Sequence, residues 1–320
     1  MLKHCYLLIL FVFFLASCAP NDTSKSPVSA EALSYKSTTQ YKQLTPFNRV
    51  EVQGQINVTL HTGYKKPQVI LRGDPRDLAK INAEVSENTF YLSLGKGYPH
   101  HGAVHADIRG QFLNSFTYEG IGLVDGSQLH SAMLDLYLVN NGTTKLAGSL
   151  GLRRLDIVGK GLTVINGINS QNLQINLKGN PKVLLTGVAN ISNLIVDGST
   201  WFSLYWLKSD VLTIRGKNKA RIQLAGTVNK LDVELWGNAY FKGRFLRAQR
   251  SFVKTHGHSV AEISSVNHQS TLATDRSNIY YYNLSNTRED FMAYKGSVLD
   301  MREWDRSNLR DFDRYNKQFP

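Results

Sequence analysis

The sequence predicts an all-β fold, a right-handed parallel β-helix of roughly nine short rungs. The first observation is a repeat from residue 116 onward, in which apolar residues recur at intervals of roughly 18–21 residues. The second is a glycine turn inside most repeats, and the third is alternation of apolar and polar residues around it. One repeat cannot bury its apolar side chains alone, so stacked repeats would bury them in a continuous column. The repeated positions are Phe116, Leu134, Leu155, Leu173, Leu194, Leu212, Leu231, Phe252 and Leu272.

The segment before the repeat has a strand pattern of its own. Residues 47–60 alternate apolar and polar positions around a glycine, and the apolar runs near residues 69–71 and 90–94 indicate further strands. Between those runs, Asp74 is a suitable N-cap and Pro75 a suitable first residue for a short helix within residues 74–85. We therefore expect residues 46–115 to form a β cap over one open end of the β-helix.

Each repeat is predicted to contain a short strand, a turn and a second strand. Residues 155–157 lead through Gly161 to Val164, and residues 231–233 lead through Gly237 to Phe241. Leucine-rich repeats have a similar period, but their asparagine ladder and helical return segment are missing from this sequence. A β-sandwich is the alternative fold.

The C-terminal segment, residues 286–320, has a loosely helical spacing of apolar residues amid mixed arginine and aspartate. We expect a short helical cap over the last rung, and docking of another envelope protein is the alternative role for it. The spaced residues are Val298, Met301, Leu309, Phe312, Tyr315 and Phe319.

The N-terminus resembles the signal peptide of a bacterial lipoprotein. An apolar run too short to span a bilayer ends in Leu-Ala-Ser before Cys18, the residue pattern of a lipobox. The resemblance implies that residues 1–17 are removed and that Cys18 carries acyl chains such as palmitate. Ala19 after the cysteine favours the outer membrane. Residues 18–45 then form a flexible tether, and residues 46–285 form the main domain.

Composition limits the chemistry and the partners. Both cysteines belong to the N-terminal segment, so the predicted mature domain has no disulfide and no thiolate chemistry. The net charge of +12 suits an anionic glycan, lipopolysaccharide or a phospholipid surface. Nucleic acid is not expected as a partner of an exported lipoprotein.

Residues 47–60 (FNRVEVQGQINVTL), followed by an apolar strand and an acidic turn at residues 69–74, carry a family resemblance. They resemble the opening of the head GIN domain of the putative auto-transporter adhesins, although Gln55 stands where the first glycine is usual. The resemblance covers roughly residues 46–282. It implies a β-helical domain of the cell envelope, often lipid-anchored, with no catalytic residues.

Two sets of polar residues are candidates for chemistry. If Leu134 and Leu155 point inward, Asp135 and Asp156 point outward on adjacent rungs, which is the arrangement for acid–base hydrolysis of polysaccharide. The histidines near residues 100–105 and 256–258 match no established metal signature. We expect a solvated face and loop histidines, and hence no catalytic residue, no metal and no cofactor.

A basic and aromatic strip is the candidate ligand-binding surface. On the second strand of successive rungs, the predicted inward residues Phe202, Ile222 and Phe241 leave their neighbours facing solvent. Aromatic rings offer faces to sugars, and arginine offers a planar fork to carboxylate or phosphate. The candidate residues are Trp201, Tyr205, Arg221, Tyr240, Lys242 and Arg244.

These observations predict a non-catalytic binding or adhesion module, lipid-anchored in the bacterial cell envelope and directed toward an anionic glycan. Two alternatives are a polysaccharide-degrading enzyme built on the β-helix and a structural scaffold for envelope proteins. The sequence leaves open the ligand, the oligomeric state and whether the domain faces the periplasm or the outside.

Overall fold

The computed structural model describes residues 37–302. It is nearly all β, with 72% strand and 2% helix, and forms a β-solenoid of about nine turns. This confirms the predicted right-handed parallel β-helix over a β-sandwich. The predicted signal peptide, Cys18 and the first part of the predicted tether lie outside the described residues. In residues 37–302 no helix has the length and hydrophobicity required to span a membrane.

The strands of residues 37–302 all belong to one 19-stranded sheet. The strands of the N-terminal part are β1 Thr38–Gln43, β2 Arg49–Gln53, β3 Asn57–His61, β4 Gln68–Gly73, β5 Ile81–Ser86, β6 Thr89–Leu94, β7 His105–Arg109 and β8 Ser115–Gly120, with helix α1 Pro75–Leu78 after β4. The solenoid continues as β9 Leu123–Asn140, β10 Thr143–Gly159, β11 Leu162–Gly179, β12 Lys182–Val196, β13 Trp201–Gly216, β14 Arg221–Leu235, β15 Tyr240–Thr255, β16 Val260–Thr274, β17 Asn278–Tyr281, β18 Arg288–Tyr294 and β19 Ser297–Asp300.

Each long strand follows one rung, and one to three register shifts interrupt its pairing with the next rung. In β11, the parallel pairing with β12 shifts register after Ile165 and again after Ser170. Such irregularities bend a strand and change its direction. We therefore call the three straight segments of a rung its first, second and third faces; in β11 they are residues 162–165, 168–170 and 173–178.

The core is built from inward-facing columns that run from rung to rung. Along the first face, Val183, Phe202, Ile222 and Phe241 are register partners in turn, and each is almost completely buried. Burying a side chain of this size contributes about 1.5–3 kcal/mol. The period-2 alternation of the strands therefore gives each rung an apolar interior and a polar outer surface.

The N-terminal strands cap the solenoid, as predicted. Strand β4 pairs antiparallel with both β1 and β7, while β2 and β3 pair in parallel with rung strands. The predicted helix begins after Asp74, whose side chain accepts a hydrogen bond from the Arg76 amide, but it ends at Leu78. Residues 81–86, which follow the helix, alternate and pair with β6.

Both predicted domain boundaries differ from the strand ladder. Residues 38–43, placed in the tether, form β1 and pair along β4. At the other end, β18 and β19 pair in parallel with β16 and β17, so the solenoid continues beyond residue 285 to Asp300. Val298, placed in a helical cap, lies in β19 and packs against the core. Residues 303–320, with the rest of the predicted helical spacing, lie outside the described residues.

Candidate ligand-binding surface

Three residues of the predicted strip form one outward column on the first face. Trp201, Arg221 and Tyr240 are successive register partners on β13, β14 and β15. Lys182 precedes them on β12, and its Nζ lies 4.9 Å from the centre of the Trp201 ring. The column exists because each of these residues precedes a buried core residue, so strand alternation turns its side chain to solvent.

The remaining predicted residues do not extend this column. Lys242 lies two positions further along its strand, in register with Gln223 and Glu262. Tyr205 follows the last register pair of its first face, Leu204 with Leu224, and is half-buried at the corner. With Arg244, described next, the six predicted residues therefore occupy four settings rather than one flat strip.

Arg244 is held inside the protein by Glu262. Its Nε lies 3.6 Å from Glu262 Oε2, and the two side chains are only 13% and 11% exposed. The guanidinium also lies 4.9 Å from the centre of the Phe245 ring. The role of Arg244 as an open ligand contact is thus not supported, because its side chain is buried and its charge already faces the carboxylate of Glu262.

Tyr240 links the column to this buried pair. Its hydroxyl donates a hydrogen bond to Glu262 Oε1. Desolvation first, and then the hydrogen bond to and charge of Glu262, raise the pKa of Tyr240 above its ordinary value. The phenol therefore stays neutral, and its ring is fixed beside Arg221.

A stacked set of side chains beside the column was missed by the sequence reasoning. Lys217 Nζ lies 5.4 Å from the centre of the Trp236 ring, and that ring stacks on His256 with centroids 5.9 Å apart. The three residues occupy the turn that precedes the first face on successive rungs. Their spacing matches the repeat, and this signal was present in the sequence.

The column and the turn stack form a basic and aromatic surface. Lys182, Arg221 and Lys217 make no ion pair with another residue among those that the structure describes. The nearby carboxylate of Glu234 is engaged by Arg215 at 3.4 Å and lies 3.8 Å from His256. Cations next to aromatic rings are thus available to a ligand on this side of the solenoid.

The predicted carboxylate pair is not formed. The register partner of Asp135 is Arg154, whereas Asp156 pairs with Tyr137, so the two acids are offset by two residues. Asp135 instead accepts two hydrogen bonds from the guanidinium of Arg153. This arrangement gives no paired acid and base, and the expectation that these acids belong to a solvated face agrees with it.

The histidine clusters have structural partners. Within residues 37–302 no group of three histidine, cysteine, aspartate or glutamate side chains is placed to hold a metal ion. The amides of His100 and His101 donate to the carboxylate of Asp77, as the His101 ring does at 3.1 Å. His256 Nδ1 lies 2.9 Å from the Thr274 hydroxyl.

Replacing Asp77 with asparagine should destabilise the N-terminal cap. The side chain of Asp77 is completely buried. Desolvation raises the pKa of Asp77. The hydrogen bonds from His100 and His101 lower it by more, so the pKa lies below its ordinary value. Weakening these charge-assisted bonds should cost about 1–3 kcal/mol near neutral pH, measured by urea unfolding.

The same variant has a defined pH dependence. Because the pKa of Asp77 is lower in the folded state, its ionised carboxylate stabilises the fold at pH values above the unfolded-state pKa of about 3.9. This stabilisation is lost as the pH falls through the folded-state pKa. The stability difference between wild type and Asp77→Asn should therefore shrink in strong acid. A difference that stays constant across that range would contradict the assignment.

The fold and the surface define a β-helical protein with a basic, aromatic outer face. A family model described as putative auto-transporter adhesin, head GIN domain, matches residues 46–215 and 151–284. These matches cover most of the chain, and the chain belongs to that family. The family is described as adhesins rather than enzymes, in line with a binding protein at the cell surface or envelope.

The chain also matches solved structures at low sequence identity. A putative adhesin from Bacteroides fragilis is 17% identical, with a TM-score of 0.37, and covers 83% of this chain and 98% of its own. A putative adhesin from Parabacteroides distasonis is 14% identical, with a TM-score of 0.47 and the same coverages. A putative lipid binding protein from the latter organism is 11% identical, with a TM-score of 0.41, and covers 82% and 96%. No curated protein matches this chain.

Proposed function

We propose that this protein is a non-catalytic adhesion module of the cell envelope that binds an acidic polysaccharide on its first face. The observation that carries the proposal is the column of Lys182, Trp201, Arg221 and Tyr240, in which cations and aromatic rings occupy consecutive rungs. An acidic sugar chain requires cations for its carboxylates and aromatic faces for its sugar rings, and such a column presents both at a fixed spacing.

The two kinds of side chain have separate roles. The Trp201 ring offers a face for stacking against a sugar ring, and its neighbour Lys182 adds positive charge. Arg221 is exposed and offers a planar fork that matches a carboxylate with two hydrogen bonds. Each contact is weak by itself, and repetition along the rungs gives retention of a long chain by avidity.

The turn stack widens this surface. Lys217 and Trp236 precede the first-face strands that carry Arg221 and Tyr240, and His256 precedes that of the next rung, so the stack borders one end of the column. A cation over an aromatic face contributes about 0.5–1 kcal/mol at an exposed site, and it fixes the ring in place before a ligand arrives. The rigid rungs thus keep the cost of ordering the binding surface low.

The proposal includes the lipid anchor at Cys18. Acyl chains on that residue, with the tether, would hold the domain at the outer membrane. Support comes from the lipobox pattern and from the family. Radiolabelled palmitate should be incorporated into the wild-type chain and lost in Cys18→Ala; equal labelling of both would refute this part.

The binding claim is tested by the double variant Trp201→Ala with Arg221→Ala. The full chain in non-ionic detergent is titrated calorimetrically with polygalacturonate, which carries a carboxylate on each sugar. We expect the Kd to rise about 10-fold or more, which corresponds to about 1.4 kcal/mol. Both side chains are solvent-facing, so the thermal stability should stay close to that of the wild type.

The matched control is Tyr91→Ala with Arg49→Ala. These residues supply an aromatic ring and a cation on strands β6 and β2 of the N-terminal cap. Their removal should leave the Kd unchanged. Equal weakening by both double variants would reduce the interaction to general charge attraction, and unchanged binding in the first variant would refute the site.

A further inference from the structure

A second basic column lies elsewhere on the solenoid. Lys230, Arg250, His268 and Arg288 are successive register partners on β14, β15, β16 and β18. Rungs of a parallel β-helix stack at about 4.8 Å, so these four side chains span about 14 Å along the solenoid axis. We call this set the cation ladder.

The cation ladder lies at the corner between the second and third faces. Lys230 and Arg250 lie after the second-face residues Val228 and Ala248 and before the third-face strands. The column of Trp201 and Arg221 lies on the first face, at the other end of the same rungs. The two surfaces are therefore separate.

Part of the positive charge of the cation ladder has no ion-pair partner among the described residues. Lys230 and Arg250 are exposed and make no ion pair with any other residue in the described part of the chain. His268 and Arg288 share the single carboxylate of Asp290, at 2.7 Å and 3.4 Å. Consecutive like charges disfavour one another, and an anion laid along them would relieve this repulsion.

The neighbours of the ladder indicate the class of anion. Gln249 and Asn267 precede Arg250 and His268, are exposed, and carry amides that can donate to and accept from hydroxyl groups. Phe252 is 38% exposed; its ring lies 5.5 Å from Lys230 Nζ and meets the His268 ring edge-on at 6.4 Å. Amides, cations and a partly open ring in one narrow line suit a sugar chain better than a broad lipid surface.

We propose that the cation ladder is a second binding site for an acidic polysaccharide, whose chain runs parallel to the solenoid axis with its charges on successive or alternate rungs. The proposal rests on the proposed function for the class of ligand, and it adds a separate site and a direction of the bound chain. Two sites on one rigid domain would cross-link or clamp a long polysaccharide.

The first test is the double variant Lys230→Gln with Arg250→Gln, titrated with polygalacturonate at several salt concentrations. Binding should weaken about 10-fold at low salt, and the slope of log affinity against log salt should become shallower, because fewer counterions are released. The control, Lys80→Gln with Arg49→Gln, makes the same change in net charge on the N-terminal cap. An equal effect of the control would overturn the proposal.

A second variant keeps the charge and moves it by one residue. Exchanging the pair, as Arg250→Gln with Gln249→Arg, leaves the net charge unchanged but removes the cation from its column. Affinity should fall several-fold if the register of the cation ladder matters. Unchanged affinity would refute an aligned chain.

Failure of this site and failure of the proposed function are distinguishable. Each wild-type protein molecule should bind two short oligogalacturonates. Each molecule of the first-face double variant or of the ladder double variant should bind one. If the first-face variant loses all binding and the ladder variant loses none, the cation ladder is not a binding site, and the first-face site is unaffected. A wild type that binds no acidic oligomer would refute both.

Discussion

Replacing Gly226 with alanine is expected to lower the free energy of unfolding by about 4 kcal/mol, the sum of backbone strain and overpacking. Gly226 lies at a corner of the solenoid with φ of +136°, and a Cβ there would lie 2.0 Å from the carbonyl oxygen of Leu207. Leu207 is its register partner on the neighbouring rung, so relief of the clash requires the two rungs to separate. Urea unfolding measures the loss.

Gly63→Ala is the matched control. Gly63 also has a positive φ, +90°, but a Cβ there meets nothing within 4 Å. Its replacement should cost only the backbone strain of about 1–2 kcal/mol. Equal losses for the two variants would contradict the claim that close stacking of rungs, rather than backbone conformation alone, requires the glycine.

Phe241→Ala is expected to cost about 3–5 kcal/mol, a large part of the total stability of a typical domain. The ring is completely buried between Ile222 and Ala261 on the neighbouring rungs. A Cβ built on Gly243 would come within 2.4 Å of the Phe241 ring, so small residues around it leave space that only this ring fills. The rungs are held by strand pairing on both sides of Phe241, so we expect them to close the cavity only partly.

The control for this variant is Phe112→Ala, because the Phe112 side chain is 60% exposed. Its removal should change the free energy of unfolding by no more than about 0.5 kcal/mol. A small effect of Phe241→Ala in the same assay would contradict a rigid, close-packed column of side chains in the core.

The solenoid was predictable from the repeat, but its register was not. The sequence placed Leu134 and Leu155 at equivalent positions, whereas the register partner of Leu155 is Leu136. Both leucines on β9 point inward, so a shift of two residues keeps the apolar pattern unchanged. The misalignment by two residues suggested that Asp135 and Asp156 are neighbours, and only the observed strand register shows that they are not.

At Phe252 the alignment fails for another reason. The inward register partners there are Ser251 and Gln269, and both are buried although they are polar. The apolar residue at this point of the sequence is Phe252, the outward neighbour of Ser251, and the repeat alignment therefore used Phe252 in place of the inward residue. In the last rungs the core is held partly by hydrogen bonds, such as that from Asn283 to Gln269 at 2.6 Å, which hydrophobic periodicity does not detect.

The candidate site divides in the same way. Trp201, Arg221 and Tyr240 were predictable because regular alternation governs the start of each first face. Arg244 was not, because the pairing of β14 with β15 shifts register after Gln223, and alternation no longer decides which way later side chains point. Its partner Glu262 is on the next rung, a contact that only the fold creates.

The central claim, passive binding of an acidic polysaccharide, is tested most directly by size-exclusion chromatography with light scattering. The full chain in non-ionic detergent is incubated with polygalacturonate and, separately, with uncharged dextran. We predict that the protein co-elutes with polygalacturonate whose chain mass is unchanged, and that it elutes apart from dextran. Progressive shortening of the polygalacturonate, or elution apart from both polymers, would contradict the account.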